Sequence, residues 1–317
     1  MQDVFAYNDY LTSPPGELPT LSAPRTELPY LVSEAIGALV GPPAFRRTDP
    51  DSVQGKQGLL HAAVHDTAAS DPRYCGLIGW CAFDYPSGFG AAADGLKWPG
   101  VADVFRVPKL GAGFYRSQVH PSVRVVIEPG FHWDLGPHTP RGPGPGAVIW
   151  SNCDELTVRI GEGPSLRLQP DRARFPHLRH PPFITDLTVA SGLPELRIDG
   201  YLQGHQVASR YLAADPRGDQ FTATADDTQL SADIVDATRV VVAVLDRYGA
   251  ARTRAGGTVT FALTGPAVLI GDNPLDLTGN GGVGAVWLRT LPSQRGRVTL
   301  RATHSQLGAH TLTIDVT

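Results

Sequence analysis

Three short polar runs at the ends of apolar stretches hold the residues that could do chemistry. Asn8-Asp9-Tyr10 follows Val4-Phe5-Ala6-Tyr7, Ser33-Glu34 follows Leu31-Val32, and Trp80 and Asp84 sit around the apolar stretch 75–83. A carboxylate, a phenol and an indole meeting at one face are what a sugar site needs. The carboxylate can attack or stabilise an oxocarbenium-like anomeric carbon. A phenol beside it donates a hydrogen bond and tunes its basicity. The indole offers an apolar plane to the C–H face of a sugar ring. Each residue also has a plainer use. A strand-end Glu caps a helix or pairs with a base, a Trp in an apolar strand is core, and Tyr10 can plug the end of a barrel. Residue type alone leaves both readings open.

For these groups to converge, the stretches before them must be neighbouring strands. Residues 4–7, 29–33 and 75–83 are apolar without alternation, the pattern of strands covered on both faces. Between them, residues 51–70 have the spacing of a helix, with Leu59, Leu60, Ala63 and Val64 on its apolar side and Asp51 or Ser52 as the expected cap. A second helix is expected between Ala102 and Gln118, interrupted by Pro108. Strand, helix, strand in this order predicts parallel β/α units, and polar groups just past such strand ends face an active site in a β/α barrel. From about residue 123 the pattern changes. Val123, Val125 and Ile127 alternate with their neighbours, and short strands are expected at 147–150, 155–160 and 196–199. Further ones are expected at 238–245, 258–263, 297–303 and 310–316, between Gly/Pro turns. Such regular short strands indicate β-sandwich domains.

Composition narrows the classes. The 317 residues fit two or three domains. Gly 35 and Pro 28 make up one residue in five, which excludes a helical bundle. A net charge of −4 offers no phosphate-binding surface, so nucleic acid is not an expected partner. No run of about 18 apolar residues exists, so no membrane-spanning helix is expected. Cys75, Cys81 and Cys153 are too few for a disulfide framework or a four-ligand zinc site, and Cys75 and Cys81 read as packed thiols. His61 and His65 stand at i, i+4 but without a third ligand or an H-E-x-x-H arrangement, so the expectation is no metal. Asp226-Asp227 and Gly271-Asp272-Asn273 read as turns rather than calcium loops. Gly279-Asn280-Gly281-Gly282-Val283-Gly284 falls between sandwich strands, so no dinucleotide and no other cofactor is expected. The start MQDVFAYNDY has no charged-then-apolar leader, which implies a cytoplasmic location if that N-terminus is the genuine one.

Longer runs carry a family resemblance. Tyr30-Leu31-Val32-Ser33-Glu34, Gly79-Trp80-Cys81-Ala82-Phe83-Asp84-Tyr85, Gly100-Val101-Ala102-Asp103-Val104-Phe105-Arg106-Val107-Pro108-Lys109 and Ser117-Gln118 come in one order. Trp150-Ser151-Asn152-Cys153-Asp154-Glu155-Leu156, Gly200-Tyr201-Leu202-Gln203-Gly204, Asp246-Arg247-Tyr248-Gly249 and Ile270-Gly271-Asp272-Asn273-Pro274 follow. Together they resemble glycoside hydrolase family 2, most of all its β-galactosidases, over nearly the whole chain. The resemblance implies the end of a (β/α)8 TIM barrel over residues 1–122, then two immunoglobulin-like β-sandwiches at 123–212 and 213–317. It implies a retaining hydrolysis of terminal β-galactosyl bonds, with Glu34 as nucleophile, Tyr10 contacting it, Trp80 as floor of the sugar subsite and Asp84 at the rim.

The same resemblance marks departures. Ala35 stands where the family often has an aromatic residue, Ile36-Gly37-Ala38 lacks the expected histidine, and the loop Pro86-Ser87-Gly88-Phe89-Gly90 is atypical. The Asn-x-Lys pattern of glucuronidases is absent near Lys97-Trp98-Pro99. The family's acid/base is a glutamate in an Asn-Glu pair, and this chain has no such pair. The expectation is therefore a C-terminal piece with little hydrolysis of its own, completed by an N-terminal chain or a longer reading frame, with a β-galactoside or related oligosaccharide as substrate and a homo-oligomer as the other partner state. The alternative is a non-catalytic carbohydrate-binding or structural module built on the two sandwiches.

Overall fold

A computed structural model describes residues 3–10, 17–36, 45–88, 95–136, 139 and 141–317. Gly37, Ala38, Phe89 and Gly90, which carry two of the departures above, lie outside the described residues. The described chain is mostly sheet with few helices. It divides into two compact units, Met1–Tyr211 and Leu212–Thr317.

The first unit opens with three parallel strands in the order β1 (Phe5–Asp9), β2 (Tyr30–Ala35) and β3 (Tyr74–Gly79). The long helix α1 (Asp51–Ala69) crosses from β2 to β3. One side of this sheet packs Val32 and Ala35 against Val64 of the helix and against Leu21, which precedes β2. Val32 and Val64 are among the apolar positions that predicted these elements. Three predicted details differ. Pro50, not Asp51 or Ser52, is the residue before the first turn of α1, and no side chain caps it. Its carbonyl accepts from the Val53 and Gln54 N–H groups, and Asp51 lies in the first turn, where the helix dipole favours an acid. The third strand ends at Gly79 instead of continuing to Phe83. Residues 81–84 leave the sheet because they pair elsewhere: Val101 N–H donates to Cys81 O at 3.0 Å, Ala102 N–H to Ala82 O at 2.9 Å and Asp84 N–H to Ala102 O at 3.0 Å. A two-strand hairpin follows, β4 (Tyr85–Pro86) against β5 (Leu96–Lys97). The second helix is only α2 (Ala112–Ser117), entirely beyond Pro108.

Helix α1 is unlike an ordinary amphipathic helix. It buries Gln54, Gln57, His61 and Asp66. Three of these hold main chain that would otherwise be buried without partners. Gln54 Nε2 donates to the Arg47 and Asp49 carbonyls at 2.9 and 2.7 Å, and Gln57 Nε2 to those of Pro99 and Gly100, both at 2.9 Å. Asp66 accepts from the His177 and Leu178 N–H groups at 2.8 and 2.9 Å.

The rest of the first unit is antiparallel. One sheet has the order β10 (Phe183–Leu187), β7 (Gly144–Ser151), β6 (Ile127–Pro129). The other has β12 (His205–Ala213), β11 (Glu195–Leu202), β8 (Glu155–Ile160), β9 (Leu166–Leu168). The alternation expected at 123–127 does not make a strand before Ile127, and Val123 is 75 % exposed. Trp150 of β7 joins this sandwich to the parallel part. It packs with Ala62, Ala63 and Phe114 in one buried cluster. Added Cβ atoms at Gly58 and Gly113 would each come within 2.5 Å of its ring, so glycine is needed at both places.

The second unit is a sandwich of two sheets. One runs β13 (Gln220–Ala225), β15 (Ala237–Leu245), β19 (Val283–Thr290), β17 (Ala267–Ile270). The other runs β14 (Gln229–Leu230), β21 (Gly308–Val316), β20 (Gly296–His304), β16 (Thr258–Thr264), β18 (Leu275–Asp276). Its alternation is regular. Thr238, Val240, Val242 and Val244 are buried from β15, and Val298, Leu300, Ala302 and His304 from β20.

Candidate active site

The parallel register brings two of the expected residues together. Asn8 lies opposite Glu34, with a register shift between Tyr7 and Asn8. Tyr10 follows directly on β1, and its phenol donates a hydrogen bond to Oε2 of Glu34. Beside them Ser33 Oγ donates to Asn8 Oδ1 at 2.8 Å. Asp9 points the other way. It is buried and accepts the Ser22 N–H at 2.6 Å, so the strand end is tied down on the side opposite Tyr10.

Trp80 arrives at the same edge from β3. Its backbone N–H donates to the Ala35 carbonyl at 2.8 Å, the residue after Glu34. Gly79, just before it, sits on buried His61 and the Tyr115 hydroxyl that His61 meets. A Cβ there would come within 2.5 Å of the Tyr115 hydroxyl and 2.8 Å of His61 Nδ1. The Trp80 indole is half-buried, and its Nε1 donates to the Tyr85 hydroxyl at 3.2 Å. The two rings stand edge to face, 5.9 Å apart at 89°.

Cys81, next along, gives its thiol to the Phe83 carbonyl at 3.1 Å. Burial pushes that thiol up to about 11, and the nearby charges of Asp84 and Glu34 act in the same direction. A thiol held that high is protonated at neutral pH and a poor nucleophile. Cys75, expected to be packed, is exposed, because the strand turns it outward, where it donates to the Tyr30 carbonyl at 3.2 Å.

Asp84 is placed differently from the rim expected of it. It is buried, with Lys109 Nζ at 2.9 and 3.0 Å from its two oxygens and the Gly100 N–H at 2.8 Å. Burial pushes its carboxyl up to about 6, opposed by the Lys109 charge. Burial likewise lowers the Lys109 ammonium. Lys109 also donates to the Phe45 carbonyl at 2.8 Å. Asp84 therefore anchors the loop that carries Trp80 and Tyr85; its oxygens are spent inside the fold. A second buried pair lies nearby, with Arg47 Nε 2.7 Å from Asp103 Oδ2. The other oxygen of Asp103 accepts the N–H groups of Phe105 and Val107, both at 2.9 Å. Sequence reasoning missed the roles of Lys109, Arg47, Asp103 and Gln57. One signal was available: Lys109 is one of only three lysines, and it closes the run that begins at Gly100.

Among the described residues no group of three His, Cys, Asp or Glu could hold an ion. His61 Nδ1 lies 2.8 Å from the Tyr115 hydroxyl, and both His61 and His65 have a buried Nε2 with no hydrogen-bond partner among the described residues. Burial holds them neutral, His61 down to about 3 and His65 to about 4. Asp226 of the expected turn is used by Arg239 at 3.0 Å. No described helix is long and apolar enough to cross a membrane.

Comparison with known proteins bears on the whole chain. A family model described as glycoside hydrolase family 2 C-terminal domain 5 matches residues 221–313. A beta-galactosidase of Thermoanaerobacter pseudethanolicus is 32 % identical over 319 residues, covering 95 % of this chain and 40 % of that protein. A beta-galactosidase of Rhizobium radiobacter is 33 % identical over 118 residues, covering 37 % of this chain and 83 % of that sequence. The solved structure of a beta-glucuronidase from glycoside hydrolase family 2 aligns over 92 % of this chain and 32 % of its own, with TM-score 0.65 and 17 % identity, a likeness of fold alone. The chain spans 40 % of the length of the first three curated relatives it matches.

Proposed function

The chain belongs to glycoside hydrolase family 2, and from that premise we propose that Glu34 is the nucleophile of a retaining, β-galactosidase-like hydrolysis. The observation that carries this reading is the hydrogen bond from Tyr10 to Glu34 across adjacent parallel strand ends. A carboxylate that must attack a sugar needs one oxygen held and the other directed at the anomeric carbon. Tyr10 supplies the hold. Trp80, beside Ala35, supplies an apolar plane for the sugar's C–H face.

In this mechanism a Glu34 oxygen forms a bond to the anomeric carbon as the bond to the leaving oxygen breaks. A second carboxyl group about 5–5.5 Å away gives that oxygen its proton, then takes one from the water that releases the sugar from Glu34. The chain has no Asn-Glu pair to provide the second group. We place it in the sequence that the longer relatives carry beyond the stretch matched here. On the same reading β1, β2 and β3 are the last part of an eight-stranded barrel within residues 1–122, with the sandwiches at 123–212 and 213–317 following it. Asp84 enters as an anchor of the Trp80 loop rather than a sugar ligand.

The test is turnover of a nitrophenyl β-galactoside by the purified chain, alone and mixed with the N-terminal portion of the Thermoanaerobacter relative. The reading expects little turnover alone, more in the mixture, and its loss by about 10⁴-fold or more in Glu34→Gln. Turnover indifferent to Glu34→Gln contradicts it.

A further inference from the structure

We propose that Tyr85 orients the Trp80 indole, and that the buried Asp84–Lys109 pair acts on the site through Tyr85. The inference rests on the reading of Trp80 as the sugar-facing plane and adds the residue that sets that plane. The main chain of Trp80 is fixed by its N–H bond to Ala35. A fixed backbone still leaves an indole its side-chain rotamers, so something must hold the ring. The Tyr85 hydroxyl does so at one point, taking the indole N–H at 3.2 Å, while the Tyr85 ring stands perpendicular to it. An edge-to-face pair tied by a hydrogen bond at one edge has little freedom to rotate.

The bond also decides what Trp80 can recognise. Its only polar group is consumed inside the protein, so the indole meets a ligand as an apolar plane with no donor to offer. A sugar with an uninterrupted C–H face fits such a plane.

Tyr85 is itself held from two sides. On β4 it pairs with Lys97 of β5. Through the chain it adjoins Asp84, whose oxygens hold Lys109 and the Gly100 N–H. Gly100 packs so closely that a Cβ would fall 2.2 Å from Asp84 N and from the Phe83 carbonyl carbon. The segment 83–85 therefore has one position, and Tyr85 passes it on to Trp80. Tyr85 is a positioning residue under this proposal.

The experiment uses the indole N–H signals of the five tryptophans in the full chain, read by NMR. Trp80→Phe identifies the signal of Trp80. Tyr85→Phe keeps the ring and removes only the acceptor, so the Trp80 signal should shift and its proton exchange about three- to tenfold faster, with the other four unmoved. Galactose titration gives a second readout. Affinity should weaken by a similar factor in Tyr85→Phe, and the same change should have no effect in a Trp80→Phe background. An unmoved Trp80 signal, or equal galactose affinity in wild type and Tyr85→Phe, overturns the proposal. A Trp80 signal that responds as expected in a chain that binds no galactose upholds the orienting role of Tyr85 and counts against the sugar-site reading instead.

Discussion

The ammonium of Lys109 lies 2.9 and 3.0 Å from the two carboxylate oxygens of Asp84, and both side chains are almost wholly buried. Removing one partner leaves an uncompensated charge out of water. Lys109→Met should destabilise the chain by about 3–5 kcal/mol, and the double variant with Asp84→Asn should recover part of that loss. Urea denaturation of the single and double variants checks it; a single variant no less stable than the double speaks against the pairing.

Acid should weaken the fold through His61 and His65. Unfolded, each histidine takes a proton near 6.5; folded, His61 does so only near about 3 and His65 near about 4. Between these values the unfolded chain holds more protons, so stability rises with pH across that window and is lost as pH falls through it. Besides burial, the charges of His65 and Lys109 also work against protonation of His61. By pH 5 the loss is about 2 kcal/mol per histidine relative to neutral pH. Asp84, whose carboxyl burial raises to about 6, works the other way over the same window, so the prediction is a difference: His61→Gln should shrink the drop between pH 7 and pH 5 by about 2 kcal/mol in a denaturation series. A drop of unchanged size contradicts the assignment.

Gly58 faces the Trp150 ring with no room for a methyl group. Alanine is the better helix former by about 1 kcal/mol, yet overpacking costs about 1–3 kcal/mol, so Gly58→Ala should be net destabilising. Gly279, with nothing within 4 Å of its missing Cβ, is the control and should tolerate alanine nearly without effect. Thermal midpoints of the two variants decide it.

What could be read from the chain in advance was what depends on neighbours in sequence. The helix from Asp51, the strands before Tyr10 and Glu34, and the alternating strands such as β8, β15 and β20 follow from local apolar spacing. The end of β3 was not readable, because residues 81–84 pair with 101–102 across the chain. Nor was the place of Asp84, whose partner lies 25 residues away. Strand β19 is buried almost throughout and begins at a glycine-rich turn, so it shows no alternation to find. The polar side chains that α1 buries, Gln54, Gln57, His61 and Asp66, are invisible to any reading based on apolar spacing. Of the four expected site residues, Tyr10, Glu34 and Trp80 stand at or just past the ends of adjacent parallel strands, and Asp84 is buried against Lys109.

If Tyr10 holds the nucleophile, Tyr10→Phe should lower kcat for an aryl β-galactoside by about ten- to a hundredfold in the complemented assembly. KM should change far less, since the bond is to Glu34 and not to the sugar. A change confined to KM would assign Tyr10 to binding instead.

The most direct measurement is covalent trapping. A fluorinated galactosyl donor that forms the glycosyl intermediate but releases it slowly is added to the chain with its complementing N-terminal portion, and the labelled peptide is located by mass spectrometry. The account predicts one galactosyl adduct, on the peptide containing Glu34, and none in Glu34→Gln. An adduct on another residue, or undiminished labelling in Glu34→Gln, contradicts it.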